Sequence, residues 1–153
     1  MTVRVSVNIV PARKLAAVRR EVAPGAIGSA WRPALDQVWS FLRSQPGLRT
    51  DGHNIFVYHE PPGKGALMSV DFGVEVTRGF ATSGEVYATE TPAGEVAEAV
   101  HVGGYDRLGD THRAIRAWAE AQERGFAGQS WEIYGDWSDD PAALETTVVY
   151  LLK

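Results

Sequence analysis

Apolar and polar residues alternate from the start of the chain, with Val3, Val5 and Val7 set between Thr2, Arg4 and Ser6. Period-two alternation is the signature of a half-buried strand, so residues 1–10 are predicted as a strand and not as a secretion signal. Further on the period changes. Trp31, Leu35, Val38 and Leu42 recur at helical spacing and predict a helix over residues 31–43. Leu108, Ile115, Trp118 and Ala119 recur likewise and predict a second helix over about 106–124. Each helix gives way to two alternating runs. The first pair covers residues 54–60 and 67–76, joined by the turn residues Pro61-Pro62-Gly63-Lys64-Gly65. The second covers 130–137 and 146–152, joined by Ser138-Asp139-Asp140-Pro141.

These elements repeat. Pro11-Ala12-Arg13-Lys14-Leu15-Ala16-Ala17-Val18 is echoed by Pro92-Ala93-Gly94-Glu95-Val96-Ala97-Glu98-Ala99, a shift of roughly 80 residues that marks an internal duplication. The expected architecture is α+β, a twice-repeated strand-strand-helix-strand-strand unit with pseudo-twofold symmetry and antiparallel sheet. No linker separates two domains. The chain reads as a single domain over 1–153, with repeats about 1–78 and 83–153 and only a short connection at 77–84. Aligning the halves superposes Phe56 and Tyr58 on Glu132 and Tyr134.

At 153 residues the chain can bury a core, and its 44% hydrophobic and 22% charged residues are those of a globular protein. A net charge of −4 gives no electrostatic support for nucleic acid or an anionic membrane, so the expected partner is neutral or cationic. The absence of cysteine excludes disulfides, thiolate catalysis and thiolate-ligated metals. No apolar run is long enough to span a bilayer, and the cytoplasm is the default address.

The stretch Ser130-Trp131-Glu132-Ile133-Tyr134-Gly135-Asp136-Trp137 sets one carboxylate inside an aromatic strand pattern. Alternation puts Glu132 and Tyr134 on one face and Trp131 and Ile133 on the other. A carboxylate against apolar walls is costly to leave unpaired, and no basic residue lies in the segment, so the missing partner is expected to be a ligand. A flat, delocalised cation suits such a place, because it loses less hydration on burial and gains from aromatic faces. The candidate walls are Tyr134, Phe56 and Tyr58 by symmetry, Trp31 and Trp39 on the first helix, and Trp137. Glu132 also reads as an ordinary exposed strand carboxylate, and Trp31 as a core residue on the same stripe as Leu35 and Val38. Trp118 is read as core.

The histidines suggest no metal. His53 and His59 lie at the two ends of one short strand, about 20 Å apart. His101 precedes Gly103-Gly104, which reads as a tight turn, and His112 lies on a helix beside Arg113. Gly125 and Gly128 are read as stop signals for the second helix. No cofactor is expected.

Thr91-Pro92-Ala93-Gly94, His101-Val102-Gly103-Gly104-Tyr105-Asp106-Arg107-Leu108, Trp118, Trp131-Glu132-Ile133-Tyr134 and Thr146-Thr147-Val148-Val149-Tyr150 together resemble the second half of the GyrI-like family. Val70-Asp71-Phe72-Gly73-Val74-Glu75-Val76 resembles the matching strand of the first half. That family includes effector-binding domains of some AraC-type and MerR-type multidrug regulators. The resemblance implies a duplicated α+β fold with a central cleft at the junction of the repeats, which holds bulky aromatic cations against a glutamate at the position of Glu132. A strand beginning at about Thr2 leaves no room for a helix-turn-helix, so direct DNA binding is not expected. The chain ends Leu151-Leu152-Lys153 where many relatives carry a proline after the last strand.

The leading expectation is a small-molecule binding protein that captures aromatic or cationic compounds. The alternative is an enzyme, since some stand-alone GyrI-like proteins hydrolyse strained cyclopropane-containing DNA-alkylating compounds; Glu132 would then be the acid or base and Tyr134 its assistant. A third is a protein-interaction role such as gyrase inhibition, for which the interleaved acidic and basic residues offer no extended acidic face. The oligomeric state is left open.

Overall fold

The computed structural model describes residues 3–23, 25–61 and 66–153, with the backbone alone at 49–52. In chain order its elements are β1 (Ser6–Val10), β2 (Lys14–Val22), α1 (Ile27–Arg43), β3 (Arg49–His59), β4 (Met68–Val76), β5 (Tyr87–Glu90), β6 (Gly94–Val102), α2 (Leu108–Ala121), β7 (Phe126–Tyr134) and β8 (Glu145–Leu152). Short 3-10 turns precede α2 at Tyr105–Arg107 and β8 at Pro141–Ala143. The α+β class expected from the sequence is what the chain adopts. Among the described residues no helix is long and apolar enough to cross a membrane.

The chain divides into two compact units, a continuous one of residues 12–91 and a split one of 1–11 with 92–153. The continuous unit is an antiparallel sheet in the order β3-β4-β2-β5. The split unit is its counterpart, β7-β8-β6-β1, also antiparallel. The leading strands are therefore exchanged relative to the expected repeats: β1 pairs with β6, not with β2, and β5 takes the corresponding place beside β2. The reason lies in the links. β1 and β2, like β5 and β6, are joined through Pro-Ala segments (Pro11-Ala12 and Pro92-Ala93) that lack the Gly or Asn a tight hairpin needs. Instead the two links bond each other, the Arg13 amide donating to Thr91 Oγ1 at 2.8 Å and the Thr91 amide to the Arg13 carbonyl at 2.9 Å.

In the continuous unit, α1 buries Ala34, Leu35, Val38 and Leu42 and packs on β2 and β4. Val18, Phe72 and Phe56 are cross-strand neighbours on the face that α1 covers, where Trp31 meets Phe56. In the split unit Ala97, Ala99, Ile115, Val148, Tyr150 and Leu152 form the core, with Val3, Val5, Leu108, Trp118 and Phe126 packed around it. Trp118 thus lies against the core, as read from its stripe.

Two boundaries differ from expectation. The second helix stops at Ala121, closed by Glu123 in the left-handed region (φ 53°), and β7 begins already at Phe126. Gly128 is consequently no helix stop. It sits inside β7 at φ 98°, where the register with β8 shifts between Phe126 and Ser130, a bulge that glycine can turn. At the other end β7 finishes at Tyr134, and Trp137 lies beyond it.

Candidate functional site

Glu132 occupies the middle of β7, opposite Val148 on β8, and only 5% of it is exposed. Burial of a carboxylate requires partners, and the fold supplies them from a strand and a helix. Tyr134, two residues along the same face, donates its hydroxyl to Glu132 Oε1. His112 Nε2 lies 2.6 Å from Oε2, and its Nδ1 lies 2.6 Å from the hydroxyl of Tyr150 on β8. His112 reaches this position because α2 buries Thr111, Ile115 and Ala119, which leaves His112 on the flank of that stripe, over β8. Its ring meets Tyr150 edge-on at 5.6 Å, and Tyr105 packs edge-on to Tyr134 at 5.8 Å.

The proton positions follow from the donor inventory. An ionised Glu132 only accepts, so His112 Nε2 carries a hydrogen and donates to it. The Tyr150 hydroxyl both donates and accepts, so it satisfies Nδ1 whether or not that nitrogen is protonated. The result is a carboxylate, an imidazole and a phenol in hydrogen-bonded series, with Arg116 one helical turn beyond His112 and its guanidinium 5.7 Å from the Tyr150 ring centre. Nearby, His101 is a structural staple. Its Nε2 donates to the Gly104 carbonyl at 2.8 Å, so Nδ1 is left to bond the Thr111 hydroxyl at 3.0 Å, fixing the turn before α2.

His112 is the residue that sequence reasoning missed. The signal was present in the repeat, because the strand registers of the two units match. Val18 and Phe56 both pair with Phe72, as Ala99 and Glu132 both pair with Val148, so Phe56 holds the position of Glu132, and Tyr58 that of Tyr134. Superposing the buried helix residues Ala34, Val38 and Leu42 on Thr111, Ile115 and Ala119 sets Leu35 on His112. Val74 falls on Tyr150. One unit therefore carries Glu132, His112 and Tyr150 where the other carries Phe56, Leu35 and Val74.

The remaining sequence-predicted residues fall in both units. Trp31 and Phe56 touch at 6.3 Å, and Phe56 meets Phe72 edge-on at 4.8 Å. Tyr58 and Trp39 are half-buried in the same unit. Trp137 is 70% exposed, with its indole N–H 3.3 Å from Asp139, because the strand expected to carry it has ended.

A second buried carboxylate lies in the continuous unit. Asp71, 2% exposed, is on the face opposite its neighbour Phe72. Arg19 grips it with two bonds, Nε to Oδ1 at 3.0 Å and Nη2 to Oδ2 at 2.9 Å. His59 Nε2 adds a contact to Oδ2 at 2.9 Å, and Tyr87 donates its hydroxyl to Oδ1. Burial alone pushes the acid up, but the bonds from His59, Arg19 and Tyr87 outweigh it and hold Asp71 well below the usual carboxylate range. Burial and the bond to Asp71 push the Tyr87 phenol up to about 12. Among the described residues no three His, Asp or Glu side chains are grouped to hold a metal.

Comparison with solved structures places this arrangement in a known fold. The C-terminal domain of EcmrR superposes with a TM-score of 0.82 at 21% identity, covering 100% of this chain and 99% of that one. SAV2435 bound to tetraphenylphosphonium gives 0.71 at 11% identity, covering 98% and 94%. A hydrolase from Listeria innocua gives 0.66 at 12% identity, covering 98% and 92%. At these identities the likeness is one of fold. A search of curated proteins found no significant match. Residues 4–151, nearly the whole chain, match the GyrI-like small molecule binding domain, and the chain belongs to that family.

Proposed function

We infer that this domain captures bulky aromatic cations, with Glu132 as the anionic group against which the ligand charge settles. The observation that carries the reading is the burial of Glu132 within a shell of aromatic hydroxyls and an imidazole. Such a shell holds a negative charge in a low-dielectric setting and offers ring faces beside it, through Tyr134 and Tyr105, to a delocalised cation. The tetraphenylphosphonium held by SAV2435, a relative of the same fold, is a ligand of this class.

Replacing Glu132 by Gln keeps the shape and removes the charge. Affinity for a cationic dye such as a rhodamine is expected to fall by about 1 to 3 kcal/mol, the range of a charge-assisted contact. A fluorescence titration showing equal affinity for both proteins removes Glu132 from the site. The same reading gives Trp39, half-buried on α1, a ligand-contacting role. For Trp39→Ala the expected result is a larger loss of affinity than of melting temperature, and a fall of many degrees with binding retained makes Trp39 a core residue instead.

A second reading is hydrolysis of strained cyclopropane-containing alkylating compounds, and the series Glu132–His112–Tyr150 favours it. Opening such a ring by water needs one proton taken from the water and one given to the departing carbon. A carboxylate bonded to an imidazole can do both in turn, with Tyr134 orienting the substrate. Product found by mass spectrometry with the wild type and not with Glu132→Gln supports it; binding without product supports capture alone.

A further inference from the structure

We propose that His112 makes ligand capture a proton-for-cation exchange: in the ligand-free domain its imidazolium is a resident counter-charge of Glu132, and an arriving cation expels its proton. This rests on the capture reading and deepens it, because it names what sets the charge of the site. The argument begins with neutrality. Glu132 and His112 meet at 2.6 Å with side chains only 6% and 16% exposed, where a lone negative charge is costly. With imidazolium present the pair is neutral. When an organic cation settles against Glu132, keeping the imidazolium would leave a surplus positive charge in the same low-dielectric space. Loss of the His112 proton restores neutrality.

The second step is that proton loss demands no rearrangement. Charged His112 donates from Nδ1 to the Tyr150 oxygen at 2.6 Å; neutral His112 accepts there from the Tyr150 hydroxyl at the same separation. Nε2 donates to Glu132 in both states. A phenol, unlike a carbonyl or an amide N–H, can serve both, so each nitrogen of His112 keeps a hydrogen-bond partner before and after exchange. The third step is the contrast between the units, in which Phe56, Leu35 and Val74 hold the matching positions. None of these is titratable, so the polar series belongs to one copy alone.

The groups around His112 come from three strands, from α2 itself and from the 3-10 turn before it, where Arg107 pairs with Asp110. Glu132 and Tyr134 come from β7, and Tyr150 from β8. His101 on β6 has both nitrogens engaged by Gly104 and Thr111. On α2 itself Arg116 lies over the Tyr150 ring, and Arg113 is paired with Asp110.

Tetraphenylphosphonium is the probe, because it is a permanent cation with no titratable group and no hydrogen-bonding atom. Any pH dependence of its binding therefore comes from the protein. Expected is an affinity that rises with pH by up to about tenfold per unit. Calorimetry in two buffers of different ionisation enthalpy is expected to show up to about one proton released per ligand bound. Neutral triphenylphosphine oxide is expected to release none. His112→Asn should flatten the slope, and Tyr150→Phe should move the pH dependence downward, since the imidazolium loses its acceptor. Affinity that is flat in pH, with no proton released, overturns the exchange and leaves capture standing. A full slope retained in His112→Asn removes His112 from it. Absence of binding at every pH takes down both readings.

Discussion

Replacing Arg19 by methionine is expected to destabilise the fold by about 3 to 5 kcal/mol, the cost of removing one partner from a buried ion pair. The direction of the effect follows from which partner is left behind. Asp71 is 2% exposed, whereas the Arg19 side chain is 47% exposed. Without Arg19 the carboxylate stays in the sheet with two of its four bonds gone; without the carboxylate, Arg19 simply hydrates. Asp71→Asn is therefore expected to cost less, about 1 to 3 kcal/mol. The pH dependence carries a further signature. Asp71 is depressed in the fold relative to about 3.9 in the unfolded chain, so its contribution is present above about pH 4 and is lost as pH falls below it. Tyr87 is raised to about 12. Its contribution is full below about pH 10 and fades as pH rises toward the folded value. Wild-type stability should thus decline at both extremes, and the deficit of Arg19→Met should shrink near pH 3, where the acid is protonated in the unfolded chain. Denaturant melts at pH 3, 7 and 11 measure this. A larger cost for Asp71→Asn than for Arg19→Met at neutral pH contradicts the account.

The sequence made the helices, the strand pairs after them and the duplication legible, because each rests on local periodicity. Leu35, Val38 and Leu42 mark one face of α1 with no knowledge of what covers it. What it left hidden are pairings between distant residues. The Pro-Ala links look alike in both copies, so nothing local shows that β1 leaves its own half and pairs with β6. Glu132 and Tyr134 were readable as neighbours on one face of a strand, and their hydroxyl-carboxylate bond is the direct result of that alternation. His112 was not readable from its own helix, since a polar residue on the flank of an apolar stripe is ordinarily solvated; its partner is 20 residues away. Asp71 posed the same question as Glu132, a carboxylate between Val70 and Phe72, and found its cation 52 residues back in Arg19. Trp137 was placed on the strand by continuing the alternation through Gly135, whose amide instead bonds the Glu145 carbonyl at 2.8 Å as the strand closes.

Truncating Phe72 to alanine is expected to be as damaging as losing Arg19, by a different route. Phe72 is wholly buried, and among the described residues it is the largest fully buried side chain. Its ring stands edge-on to Phe56 at 4.8 Å, at an interplanar angle of 83°, and Phe56 in turn supports Trp31. Removing the ring deletes its burial and the edge-to-face pair with Phe56, which together set a cost of about 3 to 5 kcal/mol. Whether the cost lies high in that range depends on how far the surroundings collapse. The backbone has little room to move in, because β4 is hydrogen-bonded along both sides, with Phe72 opposite Val18 of β2 and Phe56 of β3. Upper-range destabilisation is therefore expected, a fall in melting temperature of about 10 °C or more for a chain of this size. Phe72→Leu, which fills most of the volume, should cost under about 1.5 kcal/mol. Calorimetric melts of the two variants separate packing from strand geometry. If leucine proves as harmful as alanine, the ring's shape against Phe56 governs the site; if alanine is tolerated, β2, β3 and β4 yield more readily than their pairing on both sides of Phe72 allows.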